Sequence, residues 1–599
     1  MCGIIAYSGG RNGAALIIDG LKKLEYRGYD SAGLAYGAYG KINILKAVGK
    51  VNNLEELVLK NKVNSACLIG HTRWATHGKP SKENSHPHTG QPGAVALVHN
   101  GIIENYLELK QKLTAKGHKF KSQTDSEVAA HLIEENLKRT LSFPAAFEAA
   151  VKQLKGAYAL VAMYNREPGV LMAAKKQSPL VLGIGKGEYF LASDVPAFLQ
   201  HTKRAVFLED GDIACIIPRG YKITAADGGP AKRKIHTIAW DNTSAQKCGY
   251  KHFMLKEIFD QPQAVEDTLR TLPNDIKKSF GISARRAKEI KGIYLVACGT
   301  AYHAALAAKY FLEHFAKLPV EADTASEFKY RDVNFQKDWL FCAVSQSGET
   351  ADTLAALLNA KKAGLRTLGV CNVLGSAITR ASDFTVYTRC GPEISVASTK
   401  AFTSQLTVLY ALSLQLGFAR GALSKPQFNE LYKELLRLPA LLAAALKKQE
   451  QVKKTARGIF RKKSFIFLGR NACFPLALEG ALKLKEVSYL HAEGFPAGEI
   501  KHGPIAVIER GTPVFALAPK GFLEGKILSS CQEVSARGAM LILLTNDAAQ
   551  NGLLLPRVSE YLFPVIAAVP LQLFAYYIAA FNGCDIDRPR NLAKSVTVE

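Results

Sequence analysis

Between residue 3 and about residue 220, hydrophobic residues occur in short runs separated by Gly, Asp, Asn and Pro. Runs of this length and punctuation predict β-strands. The runs read GIIAY, ACLIG, AVALVH, AYALVAMY, VLMAA, PLVLGIG, EYFLAS and AVFLEDGDIACII. Helical periodicity separates them over 14–24, 103–116, 126–138 and 144–154. The pattern therefore predicts an α+β domain with layered sheets, placed at residues 2–220.

From about residue 290 the pattern changes to strand, turn, long helix and strand, which predicts βαβ units with mainly parallel sheets. The segments GIYLVACGTA and SFIFLGRNAC, and further on TLGVCN and LILLTN, resemble each other at nearly equal spacing. Such self-similarity predicts two related α/β domains. We predict a connector over 221–285, two α/β domains over 286–430 and 455–590, and a C-terminal tail over 591–599.

One hydrophobic stretch, YLFPVIAAVPLQLFAYYIAAF, is about long enough to span a bilayer. Pro564, Pro570 and Gln572 interrupt it, and its periodic part is short, which favours a buried core helix. A membrane span remains the alternative. No basic segment precedes a hydrophobic one at the N-terminus, so no secretory signal is visible and we expect a cytoplasmic protein without a membrane partner.

The net charge of +25 could indicate a polyanion partner, but the positive residues are spread along the chain, with one dense patch at 447–463. No zinc-finger spacing or aromatic-basic RNA-binding pattern accompanies them. A solvated helix or an interdomain face is the simpler interpretation, polyanion binding remains the alternative, and we expect no nucleic-acid partner.

The eleven cysteines are scattered and form no C-x-x-C pair, which excludes a typical disulfide framework or cysteine zinc site and indicates a reducing compartment. Five histidines of the first half could be read as metal ligands, but they show neither H-x-x-x-H nor H-E-x-x-H spacing. We therefore expect no metal and no cofactor. These histidines are at positions 71, 77, 86, 88 and 99.

Cys2 follows the initiator Met1 and precedes a strand-like run. If Met1 is trimmed, the thiol and the α-amine belong to one residue. A free α-amine titrates near 7.7–8.0 and a thiol near 8.5, so the amine can act as the general base for the thiol. A buried cysteine at the start of a strand is the alternative.

Polar residues elsewhere in the first half supply the groups that an acyl transfer on an amino acid needs. Arg73 offers a bidentate fork for a carboxylate, and Asp125 offers a counter-charge for an ammonium group. Asn100 and Gly101 follow the run AVALVH, where a side-chain amide and a backbone N–H can converge on an oxyanion. The sequence thus indicates a pocket for an α-amino acid.

The run WLFCAVSQSGETADTLAALL predicts a strand, a hydroxyl-rich turn and a helix. The turn residues lie at a helix N-terminus, where free N–H groups and the helix dipole favour an anion such as phosphate. A helix cap with additional hydroxyls is the alternative. A second strand-to-helix turn, VACGTA, can add Thr300. The residues of the first turn are Ser345, Gln346, Ser347 and Thr350.

Further on, Glu479, Lys483 and Glu486 are spaced to share one face of a helix. A solvated salt-bridge face is the general explanation of that spacing. The following HGP sequence and the glycine-rich run favour a functional role instead.

The motifs Cys2-Gly-Ile, EYRGYDSAG, HTRWATHG, HNGIIEN and TDSE, in this order, resemble those of the class II glutamine amidotransferases. This resemblance implies an N-terminal-nucleophile fold with four layers in the order αββα. It also implies that Cys2 attacks the glutamine amide, that Asn100 and Gly101 stabilise the oxyanion, and that Trp74 lies near the ammonia path. The implied glutamine-binding residues are Arg73, Trp74, Thr76, His77 and Asp125.

The motifs SQSGETADTL, EISVASTKAFTSQL, ALEGALKLKE, EIKHGP and DRPRNLAKSVTVE resemble the paired sugar-isomerase (SIS) domains of the glutamine–fructose-6-phosphate aminotransferases (isomerizing), in their bacterial form. The resemblance implies conversion of fructose-6-phosphate and glutamine to glucosamine-6-phosphate and glutamate, the first step of amino-sugar biosynthesis. By the same resemblance His502 helps to open the sugar ring, Lys594 contacts or condenses with the open-chain ketose, and Glu486 moves a proton between C1 and C2. The implied sugar-phosphate residues are Thr300, Ser345, Gln346, Ser347, Thr350, Val396, Ser398, Lys483 and Ala593.

Members of that family commonly have serine where this chain has Ala301, which puts phosphate affinity in doubt rather than the reaction. The expected partners are glutamine and fructose-6-phosphate, and the family expectation for assembly is a homodimer. Two other functions remain open at this point. The chain could be a non-catalytic sugar-phosphate-binding regulator, or a glutaminase that serves another phosphosugar acceptor.

Overall fold

The computed structural model describes residues 2–74, 78–140, 142–238 and 247–597. The chain forms two compact units, one of Met1–Ala245 with Ser595–Glu599 and one of Gln246–Lys594.

The N-terminal unit contains two antiparallel sheets. One has eight strands in the order β14-β11-β9-β10-β1-β4-β2-β3, and the other has six in the order β13-β12-β8-β7-β6-β5. The strands are β1 (Gly3–Ser8), β2 (Ser31–Ala38), β3 (Lys41–Val48), β4 (Cys67–Arg73), β5 (His88–Thr89), β6 (Val95–Ile103), β7 (Gly156–Tyr164), β8 (Leu171–Lys176), β9 (Val181–Ile184), β10 (Tyr189–Ala192), β11 (Arg204–Phe207), β12 (Ile213–Ile217), β13 (Gly220–Thr224) and β14 (His236–Thr237).

Strand alternation in β1 shows how this unit is layered. Ile5 and Tyr7 pack with the helices on the outer face of the eight-stranded sheet, whereas Ile4 and Ala6 pack into a core between the two sheets. A third core lies between the six-stranded sheet and its own helices. The result is the expected αββα arrangement. The helices are α1 (Ala14–Leu24), α2 (Val51–Lys60), α3 (Tyr106–Ala115), α4 (Glu127–Thr140) and α5 (Phe143–Val151).

Hydrophobic runs did not identify strands β2 and β3 or helix α2. Glycines interrupt β2, and Gly33 is required there because a Cβ would lie 2.2 Å from the carbonyl oxygen of His86. Strand β13 begins at residue 220 and belongs to the six-stranded sheet, whereas β14 lies wholly beyond residue 220 and belongs to the eight-stranded sheet. Sheet structure therefore continues past the expected end of the first domain. The domain limits given above otherwise stay predictions.

The C-terminal unit contains two five-stranded parallel sheets with equivalent strand orders, β16-β15-β17-β18-β19 and β21-β20-β22-β23-β24. This equivalence agrees with the duplication predicted from the sequence. The strands are β15 (Gly292–Ala297), β16 (Val320–Thr324), β17 (Trp339–Ser345), β18 (Arg366–Cys371), β19 (Phe384–Tyr387), β20 (Ser464–Gly469), β21 (His491–Pro496), β22 (Pro513–Ala518), β23 (Met540–Thr545) and β24 (Leu553–Leu554).

Helices cover both sheets and share one large core, to which the helices before the first sheet also contribute. The predicted connector is therefore largely folded, since Met254, Val265 and Phe280 are buried in that core. The helices are α6 (Phe253–Phe259), α7 (Gln261–Arg270), α8 (Ile276–Phe280), α9 (Ala284–Glu289), α10 (Gly299–Phe315), α11 (Ala325–Phe328), α12 (Ala351–Lys362), α13 (Ala377–Ala381), α14 (Lys400–Arg420), α15 (Lys425–Leu436), α16 (Leu438–Leu446), α17 (Gln449–Ile459), α18 (Cys473–Ser488), α19 (Glu524–Ser535) and α20 (Phe563–Phe581).

Helix α20 contains the hydrophobic stretch that is long enough to cross a membrane. In this unit it packs against α16, α17 and α18, and 94% of its hydrophobic window is buried. The structure therefore places it as a core helix, which is the favoured interpretation of its sequence.

Candidate active sites

Cys2 directly precedes β1, where the backbone of Trp74 surrounds its thiol. The Trp74 N–H lies 3.3 Å from Cys2 Sγ, and the Trp74 carbonyl oxygen lies 3.5 Å from it. Burial raises the pKa of Cys2 above its ordinary value, although Arg73 acts in the opposite direction. A thiol in this position needs a base to become a nucleophile.

Asn100 and Gly101 are consecutive residues of strand β6, and Asn100 contacts Cys2. Asn100 Nδ2 donates to the carbonyl oxygen of Cys2 at 3.0 Å and to Ser193 Oγ at 2.8 Å. Gly101 has φ +122°, and a Cβ there would lie 2.0 Å from the carbonyl oxygen of Ala157. Only glycine fits this close approach of two strands. The structure thus brings the predicted nucleophile and the predicted oxyanion donors together.

Arg73 and Asp125 are buried and charged, and both act electrostatically on the Cys2 thiol. Arg73 Nη2 donates to the carbonyl oxygen of Gly78 at 2.9 Å, and burial lowers the pKa of Arg73. Asp125 Oδ2 accepts from the N–H of Ile103 at 2.7 Å. Both predicted glutamine-binding charges therefore lie near Cys2.

Of the remaining predicted glutamine-binding residues, the structure describes only Trp74. Trp74 follows β4, and its ring meets Tyr29 edge-on with centroids 5.5 Å apart. Thr76 and His77 lie outside the described residues. Within the described ranges, no group of three or more His, Cys, Asp or Glu residues is arranged to hold a metal ion.

In the C-terminal unit, the turn between β17 and α12 gathers the hydroxyl groups predicted to bind phosphate. Ser345 Oγ lies 3.0 Å from Thr350 Oγ1 and accepts from the N–H of Gly348 at 3.0 Å. Ser347 Oγ accepts from the N–H of Glu349 at 3.2 Å, and the carbonyl oxygen of Gln346 accepts from Asn372. The turn thus precedes α12 as an anion site at a helix N-terminus requires.

Gly348 allows this turn to form. Its φ is +63°, and a Cβ there would lie 1.9 Å from Ser376 Oγ. A side chain at this position is therefore excluded both by backbone conformation and by space.

Thr300 contacts a carboxylate of helix α18. Its hydroxyl donates to Glu479 Oε1 at 3.1 Å, and His303 Nδ1 lies 2.8 Å from Glu479 Oε2. Helix α10 of the first sheet region thus contacts helix α18 of the second through Glu479. Ala301 lies between these residues and is half-buried in the same helix.

Lys483 occupies the centre of a buried charge network. Its Nζ is hydrogen-bonded to Glu486 Oε2 and lies 3.5 Å from Glu479 Oε1. The exposed side-chain fractions are 1% for Lys483, 2% for Glu479 and 20% for Glu486. Burial lowers the pKa of Lys483, but the two carboxylates outweigh it and the net shift is upward. A solvated salt-bridge face is therefore the wrong explanation of this spacing.

Lys594 is buried and forms an ion pair with Glu393 Oε2. Glu393 Oε1 accepts from the N–H groups of Thr399 at 2.8 Å and Ala401 at 3.0 Å, and Ser398 Oγ donates to Oε2 at 3.0 Å. The charge of Glu393 also acts on Lys483. The structure thus brings Lys594 and Ser398 together within electrostatic reach of Lys483.

The other residues predicted for the sugar site differ in how far they are buried. Val396 is buried, and its N–H donates to the carbonyl oxygen of Asp587 at 3.1 Å, while Ala593 is half-buried beside Lys594. His502 is exposed in a turn after β21, and among the described residues its side chain makes no hydrogen bond or ion pair with Lys483, Glu486 or Lys594.

Sequence reasoning did not single out several residues that complete these sites. Glu257 of α6 accepts from the N–H groups of Ile394 at 2.5 Å and Ser395 at 3.2 Å, and burial, followed by the charge of Glu393, raises its pKa to about 8. The motif EISVASTKAFTSQL contains Glu393, but the pattern gave no reason to pair it with Lys594, 201 positions away. Ser193 and His303 carried no sequence signal.

Comparisons with known families agree with this division. Residues 71–200 match the glutamine amidotransferase domain family, and residues 288–414 and 458–581 each match the SIS domain family. The solved C-terminal domain of glucosamine-fructose-6-phosphate aminotransferase from Francisella tularensis is 41% identical, with a TM-score of 0.55, and covers 57% of this chain and 100% of that one.

Similar proteins also match over the full length. Proteins named glutamine–fructose-6-phosphate aminotransferase [isomerizing] are 46% identical in Clostridium tetani, 47% identical in Thermus thermophilus and 46% identical in Methanosarcina acetivorans. In each comparison the alignment covers 100% of both chains.

Proposed function

The chain belongs to the family of glutamine–fructose-6-phosphate aminotransferases (isomerizing), and from this premise we infer which of its residues carry out the family's reaction. It is a glutamine amidotransferase and aminotransferase that converts fructose-6-phosphate and glutamine to glucosamine-6-phosphate and glutamate. The geometry around Cys2 and Lys483 supports the roles that we propose for individual residues.

Glutamine hydrolysis uses Cys2 as the nucleophile. After removal of Met1, the α-amine of Cys2 takes the thiol proton, and Sγ bonds to the side-chain carbonyl carbon of glutamine. Asn100 Nδ2 gives up one of its two hydrogen bonds, to the Cys2 carbonyl oxygen or to Ser193 Oγ, and together with the Gly101 N–H stabilises the resulting oxyanion. Ammonia leaves with a proton returned from the amine, and water cleaves the thioester to release glutamate and restore the thiol.

Charged groups orient the substrate for this attack. Arg73 binds the α-carboxylate and Asp125 binds the α-ammonium group, because both are buried and both act on Cys2. From the family resemblance we assign Thr76 and His77 to glutamine binding and Trp74 to the route by which ammonia leaves.

The sugar site binds phosphate and moves a proton. Ser345, Gln346, Ser347 and Thr350 hold the phosphate at the N-terminus of α12. His502 assists ring opening, Lys594 engages the open-chain ketose, and ammonia replaces the oxygen at C2 with loss of water. Glu486 then removes a proton from C1 and returns it to C2, while the C1 hydroxyl loses its proton and the imine nitrogen gains one, which gives the amino aldose.

The sugar-phosphate site is completed by five further residues, which are Thr300, Val396, Ser398, Lys483 and Ala593. Thr300 acts there through Glu479, to which its hydroxyl donates. Ser398 acts beside Lys594 through their shared partner Glu393.

The observation that carries this proposal is the buried network of Glu479, Lys483 and Glu486. Even when buried charges are paired, the cost of removing them from water offsets most of their attraction, so this network is better explained by chemistry than by fold stability. Measuring glutamate and glucosamine-6-phosphate together, with and without fructose-6-phosphate, tests the assignment. A phosphosugar regulator would release no glutamate, and a glutaminase for another acceptor would release glutamate without forming glucosamine-6-phosphate.

We also propose that the enzyme is a cytoplasmic homodimer that needs no metal or cofactor and binds neither nucleic acid nor membranes. Membership of the family supports the dimer, and the burial of α20 supports a protein that does not use this helix to cross a membrane. Light scattering of the purified protein tests the dimer, since a monomer would have a mass of 65.1 kDa.

A further inference from the structure

His71 is a fully buried residue of strand β4 that the reaction described above does not use. Its Nε2 lies 2.9 Å from the carbonyl oxygen of His99 and 3.0 Å from Asn100 Oδ1. Its ring stacks on that of His86 with centroids 4.0 Å apart. The imidazole thus contacts Asn100 from the side opposite to Cys2.

The hydrogen-bond partners determine which nitrogen of His71 carries the proton. A backbone carbonyl oxygen can only accept, so Nε2 must carry the hydrogen, which the carbonyl oxygen of His99 and Oδ1 of Asn100 share. Among the described residues Nδ1 has no hydrogen-bond partner, which agrees with a neutral ring protonated at Nε2. Burial lowers the pKa of His71 to about 3, so the ring stays neutral at physiological pH.

The same reasoning determines the orientation of the Asn100 side-chain amide. Because Nε2–H of His71 is a donor, the Asn100 atom that faces it must be Oδ1. Nδ2 then faces the carbonyl oxygen of Cys2, which also requires a donor. The donor Nε2–H of His71 on one side of the amide and the acceptor carbonyl oxygen of Cys2 on the other therefore select a single orientation.

We propose that His71 is a positioning residue for glutamine hydrolysis, which holds the Asn100 amide so that Nδ2 rather than Oδ1 faces the Cys2 nucleophile. This inference rests on the proposed oxyanion role of Asn100. A reversed amide presents oxygen lone pairs to the developing negative charge and replaces an attraction with a repulsion.

Two substitutions separate the N–H donor of His71 from its ring. His71→Gln keeps an amide N–H donor near the position of Nε2 but removes the ring, whereas His71→Phe keeps a stacking ring but removes the donor. We expect His71→Phe to lower kcat for glutamate release by about 10²-fold, the loss typical of an oxyanion donor, with an unchanged KM for glutamine. We expect His71→Gln to stay near the parental kcat.

The opposite order, with His71→Phe active and His71→Gln impaired, would show that ring packing matters and would overturn the proposal. Equal kcat values near the parental value would overturn it as well. If His71→Phe does not fold, His71→Leu provides the variant without a donor. His131→Phe is the matched control, because His131 is also buried in this unit but contacts His118 and Glu127 instead.

A double-mutant cycle with Asn100→Ala distinguishes failure of this inference from failure of the proposed function. If Asn100→Ala keeps full kcat, the oxyanion role of Asn100 is wrong and the proposal about His71 fails with it. If Asn100→Ala is impaired, His71→Phe should add no further loss, because no amide remains to be oriented. Fully additive losses in the double variant would mean that His71 acts independently of Asn100.

Discussion

Glu486→Gln removes the carboxylate that is hydrogen-bonded to buried Lys483 and leaves an amide of almost the same shape. A group that moves a proton between adjacent carbons contributes about 10²–10⁴-fold in rate, so we expect formation of glucosamine-6-phosphate to fall by that factor. Glutamate release depends on Cys2 and should persist.

The structure also limits the expected effect on stability. Leaving a buried charge without a partner costs about 3–5 kcal/mol. Lys483 keeps Glu479 at 3.5 Å, and the glutamine oxygen can still accept a hydrogen bond, so the loss should be about 1–2 kcal/mol. The variant should therefore fold.

The assay follows both products of the purified enzyme together with loss of label from C1 of fructose-6-phosphate, and calorimetry monitors unfolding. Lys485→Gln is the matched control, because Lys485 lies exposed on the same helix. Product formation by Glu486→Gln at nearly the parental rate would refute the proton-transfer role. Loss of both activities with early unfolding would refute the separation of catalysis from stability.

Four further outcomes are expected. Cys2→Ala abolishes glutamate release but keeps fructose-6-phosphate binding by calorimetry; surviving glutamate release would exclude Cys2 as the nucleophile. Ser347→Ala raises the KM for fructose-6-phosphate, since a hydrogen bond to a charged group contributes about 1.5–3 kcal/mol, and an unchanged KM would leave the turn as a helix cap only. Ala301→Ser lowers that KM if the missing hydroxyl faces phosphate, and an unchanged KM argues against such a contact. Burial raises the pKa of Glu257 to about 8, so between its ordinary pKa and about 8 the folded state holds a proton that the unfolded state has lost. The free energy of unfolding therefore decreases as pH rises from the ordinary pKa to about 8, by up to about 1.4 kcal/mol per pH unit. Glu257→Gln should flatten this decrease in a series of melting temperatures, and an unchanged slope would contradict the titration of Glu257.

Features set by neighbouring residues could be predicted from the sequence. The turn at 345–350 forms because hydroxyl residues and Gly348 lie between a hydrophobic strand and a helix, all within one local pattern. Asn100 and Gly101 could likewise be placed at the end of a hydrophobic run. The positions of these residues depend on local backbone geometry, which short sequences determine.

Features that depend on distant partners could not be predicted in this way. The pairs Glu393–Lys594 and Thr300–Glu479 join residues separated by 201 and 179 positions. Helical spacing alone assigned Glu479, Lys483 and Glu486 to one face but could not show that this face is buried. Burial comes from packing against other elements, among them α10, whose Thr300 and His303 contact Glu479, and a single helix pattern does not contain these partners.

The loop before α14 shows how buried carboxylates preorganise a site. Glu393 accepts from the N–H groups of Thr399 and Ala401, and Glu257 accepts from those of Ile394 and Ser395. Two adjacent buried carboxylates cannot both be charged at low free energy. The ion pair with Lys594 helps to lower the pKa of Glu393 against the effect of burial, whereas Glu257 has a raised pKa. The loop is therefore fixed before substrate arrives, so that binding does not have to order the residues within it that we propose to contact the sugar.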